Sequence, residues 1–523
     1  MPHSRLMRNV SAEAGARILY LATRFFIPPF VIAHVGMQAY GLYGTVFILV
    51  AYFGVSAIGF SNAYVKYVAQ YAAAGETDRA NRLLSSGFTI SSVLGLLGFA
   101  GVVALWPVIS VWMKVPPAMA SDGRFLTLII TGVFFTYLAL SVYRDVLTGL
   151  QEIALVQKVW IGSFVVESAL IFGLVGVGLG LRALGIAFLA RTAVDLAAQW
   201  WLATRRVSWL RIRFQMPDRE SLRLLASFGG IVQVNCMLAI FLNSVERVVA
   251  TPLLGLEASG LLDLGKRFPG MASSVPSAFA SSVMPSAAGL SASDPGALRS
   301  LYLSTVRYMN AVSGVLFAFL AFAAWPCLVF WLGKVPAGAA ELTIVFAVAT
   351  QIHLSTGPGS SILKAAGSPA MEFHYSVANC LALAITLPLS RWWFGHWDVL
   401  GIAIATAGAT MFSASWFLGR AHRRLGIAGL RFFRECVLPG LMPWVTAAIC
   451  IAPFAAWSAS GDRMRAAIGL TLGGILYLAV TGVVMLRFAA TTTERDSILL
   501  RLGLSGLTLF GTRFPANAIQ VAK

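Results

Sequence analysis

The chain alternates between long apolar stretches and short polar segments. Fourteen apolar windows can be placed at 15–35, 40–61, 85–107, 125–148, 156–179, 183–203, 224–248, 258–288, 304–331, 340–363, 372–390, 399–419, 435–456 and 466–487. A helix needs about 20 apolar residues to cross the hydrocarbon core of a bilayer. The pattern therefore predicts an all-α polytopic membrane protein with about 14 transmembrane helices. The windows at 258–288 and 340–363 are the weakest, because they are rich in Gly, Ser, Pro or charge.

The composition supports this prediction. Of 523 residues, 58% are hydrophobic and 11% are charged, and the mean hydropathy is +0.78. Soluble domains carry about 25% charged residues. These values exclude a soluble enzyme, a disordered chain and a small secreted scaffold.

The excess of basic residues sets the orientation. The chain has 39 Lys and Arg against 21 Asp and Glu, a net charge of +18. If the N-terminus is inside, 27 of the 39 lie in inner segments or at the inner ends of the adjoining windows, and 7 lie in outer loops. Short cytoplasmic loops are enriched in Lys and Arg, so we predict that both termini are cytoplasmic. The charge then indicates contact with anionic membrane lipids, and we expect no nucleic-acid partner.

A duplication divides the chain. VGMQAYGLYG at 35–44 matches LGLEASGLLD at 254–263, so that Gly36 corresponds to Gly255 and Gly41 to Gly260. The offset spans six windows, which predicts two six-helix lobes related by a parallel repeat. The expected units are an N-lobe at 1–208 (spans 1–6), a cytoplasmic basic linker at 209–223, a C-lobe at 224–430 (spans 7–12), spans 13–14 at 431–490 and a cytoplasmic C-terminal tail at 491–523. The linker is expected to lie on the anionic inner leaflet.

Three segments resemble a known family. HVGMQAYGLYGTVFILVAYFGVSAIGFSNAYVKYVAQYAAAGETDRANRLL at 34–84, LGLEASGLLDLGKRFPGM at 254–271 and VLTGLQE at 146–152 are similar to bacterial polysaccharide exporters. These belong to the multidrug/oligosaccharidyl-lipid/polysaccharide exporter superfamily, in the branch of O-antigen and exopolysaccharide flippases. The resemblance covers most of residues 10–430. It implies two six-helix lobes in a V around a central cavity, in the bacterial cytoplasmic (inner) membrane. The superfamily's multidrug pumps usually have twelve spans, so the two extra helices count against a drug pump.

Ionisable residues inside the spans are the candidate site, since a charge in the membrane is costly and usually functional. The candidate substrate-binding cations are Arg24, Lys266, Arg267 and Arg247, and the candidate cavity acids or coupling groups are Asp263, Glu246 and Glu167. Arginine suits a pyrophosphate because its planar fork binds phosphate oxygens at two points. The alternative for each residue is a structural ion pair or a place at the membrane interface.

Spacing makes these alternatives concrete. Asp263, Lys266 and Arg267 are three and four residues apart, so they are expected to share one helical face, with Asp263 able to pair with either cation. Arg191 and Asp195 are four residues apart and are predicted to form an ion pair. No acid lies three or four residues from Arg24, so its partner must come from another helix or from the substrate.

The sequence has no catalytic, nucleotide-binding or metal-binding motif. A P-loop, HExxH and GxSxG are absent, and no two histidines have a metal-ligand spacing. We expect a non-enzymatic protein without cofactor or metal that moves polyprenyl-pyrophosphate-linked oligosaccharide units by alternating access for surface polysaccharide synthesis. Its partners would be that lipid-linked oligosaccharide, membrane lipids and polysaccharide polymerase or assembly proteins. The alternatives are a drug or metabolite exporter of the same fold, a membrane enzyme of polysaccharide assembly using Asp398 or Asp462, and a non-transporting scaffold.

Overall fold

The computed structural model describes residues 2–277, 295–365, 370–460, 462–488 and 495, and these residues form helices and no strand. The helices of the N-terminal half are α1 Pro2–Val35, α2 Met37–Ala74, α3 Thr77–Trp112, α4 Ala120–Leu140, α5 Val142–Gly149, α6 Ile153–Gly176 and α7 Leu181–Arg206. The C-terminal half begins with α8 Arg219–Leu254, α9 Leu256–Ala272, α10 Pro295–Phe322, α11 Ala324–Leu332, α12 Ala339–Leu354 and α13 Gly357–Ala365. It continues with α14 Ala370–Phe394, α15 Val399–Leu425, α16 Gly429–Phe432, α17 Leu438–Cys450, α18 Ala452–Trp457 and α19 Arg463–Phe488.

The predicted all-α membrane fold is confirmed. Nine helices within the described ranges are long and apolar enough to cross a membrane, and Leu19–Val35 and Met37–Tyr52 are shorter apolar stretches. The total of fourteen spans remains a prediction. Residues 278–288 of the window at 258–288 lie outside the described residues, as does the tail at 491–523 apart from residue 495.

Each half has its own packed interior. In the N-terminal half, α6 packs on α1 and α7, and α4 packs on α3 and α7. Leu42, Leu126 and Ala187 from three of its helices meet in one fully buried cluster. In the C-terminal half, α12 packs on α9, α10 and α15, while α19 packs on α11 and α17. The helices α17 and α19, which lie in the last two predicted windows, thus extend the C-terminal half.

The same turn occurs once in each half. Gly36 separates α1 from α2 with φ of 91°, and Gly255 separates α8 from α9 with φ of 94°. Residues that carry a side chain rarely adopt such positive φ values, which explains the glycine at both positions of the sequence match. This supports the equivalence of α1–α2 and α8–α9. The wider repeat and the division into lobes remain predictions.

The two halves touch tightly beside these turns. A Cβ atom on Gly41 of α2 would overlap the carbonyl oxygen of Leu256, and one on Gly260 would lie 3.0 Å from the carbonyl oxygen of Met37. The hydroxyls of Thr45 and Ser259 are 2.9 Å apart. The two helices therefore cross with almost no side chain between their backbones. We call this the glycine crossing.

Further contacts join the halves at the same end of the molecule. The Lys114 ammonium donates to the carbonyl oxygen of Leu253 at 2.9 Å. The Trp331 indole N–H donates to the carbonyl oxygen of Phe25 at 2.5 Å. These contacts and the glycine crossing hold the halves together at the end where the α1–α2 and α8–α9 turns lie.

The linker between the halves is bound along α3. Side chains spaced four residues apart on α3, namely Asn81, Ser85 and Thr89, accept from the backbone N–H groups of Arg211, Arg213 and Gln215 at 2.8, 3.1 and 3.2 Å. Alternate N–H groups of an extended segment repeat every ~6.7 Å, and four helical residues rise ~6 Å, so the two repeats match over this length. The linker therefore lies on the protein. Its contact with the lipid surface stays a prediction, and its exposed side chains would make that contact.

The linker ends in a capped helix. Asp218 accepts from the backbone N–H of Ser221 at 3.2 Å and from the hydroxyl of Ser86 at 3.2 Å, so α8 begins at Arg219. The hydrogen bonds from Ser221 hold the pKa of the Asp218 carboxyl below its usual value. This cap fixes the start of α8 to the side of α3.

Candidate functional site

A cavity of about 370 Å³ lies between the two halves, next to the glycine crossing. Its walls come from α1, α2, α6, α8 and α9. We call it the central cavity. Its charged lining residues in the described part of the chain are Glu167, Arg247, Asp263 and Arg267. Sequence spacing could not show that residues 167 and 263 would line one space, because they come from different halves.

Asp263 is the carboxylate shared by two arginines. Arg247 of α8 donates to one of its oxygens at 2.9 Å, and Arg267 of α9 pairs with the other. Tyr40 of α2 donates its hydroxyl to Asp263 and accepts from Arg267. A residue of the N-terminal half thereby joins a charged cluster of the C-terminal half.

This cluster carries more positive than negative charge, with two guanidinium groups and one carboxylate. Arg247 and Arg267 are both mostly buried, with 16% of each side chain exposed. The Nε–H group of each is buried and has no acceptor within the described part of the chain. Buried N–H donors normally have a partner, so these two are donors that a bound oxyanion could satisfy.

Asp263, Lys266 and Arg267 are predicted to share one helical face, but in the structure they line two different cavities. Lys266 pairs with Glu246 at 2.8 Å and donates to the carbonyl oxygen of Asn243 at 2.7 Å. It lines a second cavity instead of the central one. The prediction that Asp263 could pair with either cation holds only for Arg267.

The second cavity is larger, at about 840 Å³, and lies within the C-terminal half. We call it the C-half cavity. Its charged groups form ion pairs, Lys266 with Glu246 and Lys364 with Glu372 at 2.5 Å. The rest of its polar wall is uncharged hydroxyl, amide and imidazole, supplied by Asn243, Ser273, Ser277, Thr350, His353, Tyr375, Ser376, Asn379, Thr406 and Thr410. Asn243 lines both cavities, so the two spaces adjoin at α8.

Two other sequence predictions have different outcomes. The predicted ion pair between Arg191 and Asp195 is wrong, because Arg191 pairs with Glu167 of α6 at 3.3 Å. Asp195 accepts instead from the amide of Gln199 at 3.0 Å. The spacing of four residues allows a pair but does not exclude a better partner on a neighbouring helix. Arg24 belongs to α1, but its side chain lies outside the described residues, so its role stays a prediction.

Tyr40 belongs to the cluster but was not among the residues predicted from the sequence. This residue lies in the segment VGMQAYGLYG, and its hydroxyl contacts both Asp263 and Arg267. A tyrosine inside an apolar span, within a duplicated segment, was the signal that could have identified it. Groups of three or more side chains able to hold a metal ion are absent from the described ranges.

Sequence comparison identifies the family. The model of a family described as "Polysaccharide biosynthesis protein" matches residues 35–336, more than half of the chain. The membrane protein EpsK of Bacillus subtilis (strain 168), described as uncharacterized, is 24% identical over 410 residues, which cover 76% of this chain and 79% of EpsK. The match to the family model includes the whole Tyr40–Arg247–Asp263–Arg267 cluster.

Solved structures share the fold. The lipid II flippase MurJ in an inward closed conformation aligns with a TM-score of 0.70 and 12% identity, covering 91% of this chain and 98% of that structure. An inward-facing multidrug resistance MATE family transporter of the MOP superfamily aligns with a TM-score of 0.62 and 16% identity, covering 78% of this chain and 94% of that structure. At such identities these likenesses establish the fold alone. The chain is therefore a multi-pass membrane protein with a MOP-superfamily fold, and it belongs to the polysaccharide biosynthesis protein family.

Proposed function

We propose that the protein is a flippase that moves polyprenyl-pyrophosphate-linked oligosaccharide units across the bacterial cytoplasmic membrane by alternating access. One observation carries this proposal most directly. Two arginines share one carboxylate in a cavity between the halves, and each keeps a buried N–H donor without an acceptor. An excess cation and unused donors within a membrane protein suit an anion that must leave water.

The two cavities match the two chemical parts of such a cargo. The central cavity has the unbalanced arginines, which suit a pyrophosphate. The C-half cavity has ion-paired charges and many neutral hydroxyl and amide groups, which suit sugar hydroxyls. Asn243 stands at the junction, so a pyrophosphate in one space and its sugars in the other would form one continuous cargo. The isoprenoid tail would remain in the lipid.

Alternating access would use the contact between the halves. The glycine crossing, Lys114 and Trp331 hold the halves together at one end. From the bias of Lys and Arg toward one set of loops, we infer that this end faces the outer side and that both termini are cytoplasmic. In this orientation the protein would receive its cargo from the cytoplasmic leaflet. Polymerase or assembly proteins would receive it outside, and no covalent chemistry is needed.

The experiment is a deletion strain complemented with variants, followed by fractionation of lipid-linked sugars according to leaflet. Arg267→Ala removes one of the two arginines on Asp263, and we expect the pyrophosphate-linked unit to accumulate in the inner leaflet while external polymer disappears. Truncation of a buried charged partner commonly costs ~2–5 kcal/mol of binding, or more than about tenfold. The matched control is Arg182→Ala, because Arg182 pairs with Asp122 in an exposed position away from both cavities.

Each outcome decides between hypotheses. Normal export by Arg267→Ala would overturn the cationic site, and normal leaflet distribution in the deletion strain would overturn the flippase. Drug sensitivity of the deletion strain with unchanged lipid-linked sugars would instead support the drug exporter. That alternative is disfavoured because the central cluster has excess cations, whereas cationic drugs need acidic partners.

A further inference from the structure

Asp195 is a buried carboxyl group in the N-terminal half that the proposed function leaves unused. It lies on α7 with 4% of the residue exposed. Its hydrogen-bond donor is the Nε2–H group of Gln199, at 3.0 Å from Oδ1. No Lys or Arg of the described ranges lies within ion-pair distance of it. A buried carboxylate with only a neutral partner is costly, because its charge has lost water without gaining a cation.

The surrounding cations are engaged elsewhere. Arg191, one turn away on α7, pairs with Glu167 of α6, and its guanidinium carbon lies 4.9 Å from the ring centre of Phe164. Arg144 of α5 pairs with Asp145 at 3.0 Å. Both arginines influence Asp195 electrostatically without pairing with it.

Among the side chains that the structure describes, the remaining helices around Asp195 offer no further cation. α4 contributes Tyr137, whose hydroxyl accepts from Arg144 at 2.5 Å. α2 contributes Ser61, which donates to Asp145 at 2.9 Å. Of the acids in this region, Asp145 and Glu167 each pair with an arginine, whereas Asp195 accepts its hydrogen bond from the amide of Gln199.

The amide of Gln199 has a hydrogen-bonding group without a partner in the described part of the chain. Its Nε2–H donates to Asp195, but its Oε1 is buried and has no donor among the described residues. A neutral carboxylic acid and a primary amide form a cyclic pair with two hydrogen bonds, amide N–H to acid C=O and acid O–H to amide C=O. A proton on Oδ2 of Asp195 would supply the absent donor. The same proton would remove the unpaired charge.

We propose that Asp195 and Gln199 form a proton-binding site that controls the charge of the central cavity. A solvent proton forms an O–H bond at Oδ2 of Asp195, and this hydrogen donates to Oε1 of Gln199. In this state Arg191 stays on Glu167. When the O–H bond breaks and the proton returns to solvent, the carboxylate attracts Arg191, which is four residues earlier on the same helical face.

The consequence reaches the cargo through Glu167, which lines the central cavity with Arg247 and Arg267. With the proton bound, Arg191 compensates the charge of Glu167. With the proton released, Arg191 shifts toward Asp195 and the cavity wall becomes more negative. The site would therefore couple proton binding to anion binding, each favouring the other by the same factor. This coupling rests on the proposed function, whereas the proton-binding site itself does not.

The proton is tested first, by infrared difference spectroscopy on the purified full-length chain during pH jumps in H₂O and D₂O. We expect a carbonyl band of a protonated carboxyl group that disappears in Asp195→Asn. Gln199→Leu removes the amide but keeps the acid, so the band should remain and shift in frequency. The matched control Asp122→Asn alters an exposed ion-paired aspartate and should leave the band unchanged. A band absent from the wild type, or retained in Asp195→Asn, would overturn the proton site whether or not the protein is a flippase.

The coupling is tested second, with farnesyl pyrophosphate as a soluble probe of the central cavity. Its own ionisation changes with pH, so the affinity of each form is divided by that of Asp195→Asn at the same pH. Wild type should lose affinity, relative to Asp195→Asn, as pH rises through the midpoint of the infrared titration. The expected loss is about tenfold, within the range of ~5- to 150-fold for coupled sites.

Glu167→Gln should abolish that loss, because it removes the charge that Arg191 leaves behind. A wild type that follows Asp195→Asn at every pH would overturn the coupling. Failure of every form to bind the probe, with the infrared band intact, would overturn the proposed cargo and the coupling that rests on it but leave the proton site standing.

Discussion

Asp263 stabilises a cluster whose charges do not balance. It is the one carboxylate between the guanidinium groups of Arg247 and Arg267, and the hydroxyl of Tyr40 also donates to it. The carboxylate lets two arginines coexist in a buried place, yet it cannot neutralise both. Stability and anion binding should therefore respond in opposite directions to its removal.

The substitution Asp263→Asn tests this opposition. Without ligand, two buried arginines lose their shared anion, and we expect a loss of ~3–5 kcal/mol of stability. Farnesyl pyrophosphate should bind about tenfold tighter than to wild type, because a competing carboxylate has gone. Thermal unfolding of the detergent-purified protein with and without the probe measures both effects. A variant that is destabilised but binds the probe more weakly would show that Asp263 itself contacts the cargo.

Sequence reasoning identified which residues are charged inside the spans but not how they pair. Arg247, Asp263, Arg267 and Glu167 were singled out, and all four line the central cavity. Helical spacing placed Lys266 beside them, whereas the structure turns it toward Glu246. Pairing depends on which neighbouring helix supplies the nearest acid, and one-dimensional periodicity contains no information about neighbouring helices.

At the scale of helices, the glycine crossing brings the backbones of the two halves into direct contact. Gly41 and Gly260 meet the backbone of the opposite helix directly, and the hydroxyls of Thr45 and Ser259 bond across it. Small residues allow membrane helices to approach closely, and their packing then replaces the hydrophobic drive that lipid removes. The sequence displayed these glycines as a duplicated motif, but it did not show that the two copies pack against each other.

Gly41→Ala should separate the crossing. The added methyl group meets a carbonyl oxygen of the other backbone, which cannot rotate away, so we expect a loss of ~1–3 kcal/mol. The control is Gly173→Ala on α6, where a methyl group meets nothing within 4 Å and should stabilise the helix by ~0.5–1 kcal/mol. Thermal midpoints of the purified variants should thus move in opposite directions. Equal midpoints would contradict the tight crossing.

The cap of α8 predicts a pH dependence. Hydrogen bonds from Ser221 lower the pKa of Asp218, so its carboxylate contributes stability above the unfolded pKa of about 3.9. That contribution is lost as pH falls through the lower folded value. Asp218→Ala should therefore destabilise the protein by ~1 kcal/mol at pH 7. The difference between the thermal midpoints of wild type and variant should shrink below pH 4. A difference that stays constant down to pH 3 would contradict the role of the charged cap.

At the scale of the whole molecule, periodicity and composition were sufficient for the fold class. Long apolar windows and the low charged fraction predicted an all-helical membrane protein, and the helices confirm it. Helix breaks were harder to predict, because α4–α5 and α12–α13 continue one apolar stretch through a local turn. The residues that line the cavities could not be predicted from spacing, since the central cavity combines residues as distant as Tyr20 and Arg267, and the C-half cavity combines residues as distant as Ala239 and Thr410.

The orientation can be tested with single cysteines in a background without native cysteines. Leu179, in the turn before α7, should be labelled by a membrane-impermeant maleimide in intact cells when it is replaced by cysteine. Met216, which is 91% exposed in the linker, should be labelled as Met216→Cys only after the membrane is opened. The reverse labelling pattern would place both termini outside and overturn the assignment from the positive charges.

The bound linker changes what the covalent connection between the halves does. Its bonds to α3 reach Gln215 and resume at Asp218, whose carboxylate accepts from Ser86, so Met216 and Pro217 lie between the two attachments. Two residues reach about 7 Å at most. The covalent connection between the halves is therefore short, and it is bound to α3 on both sides. Any rocking of the halves must pivot beside α3. A connection this short would permit the halves to rotate but would prevent them from separating. The halves would therefore return to the same relative position after each cycle of opening.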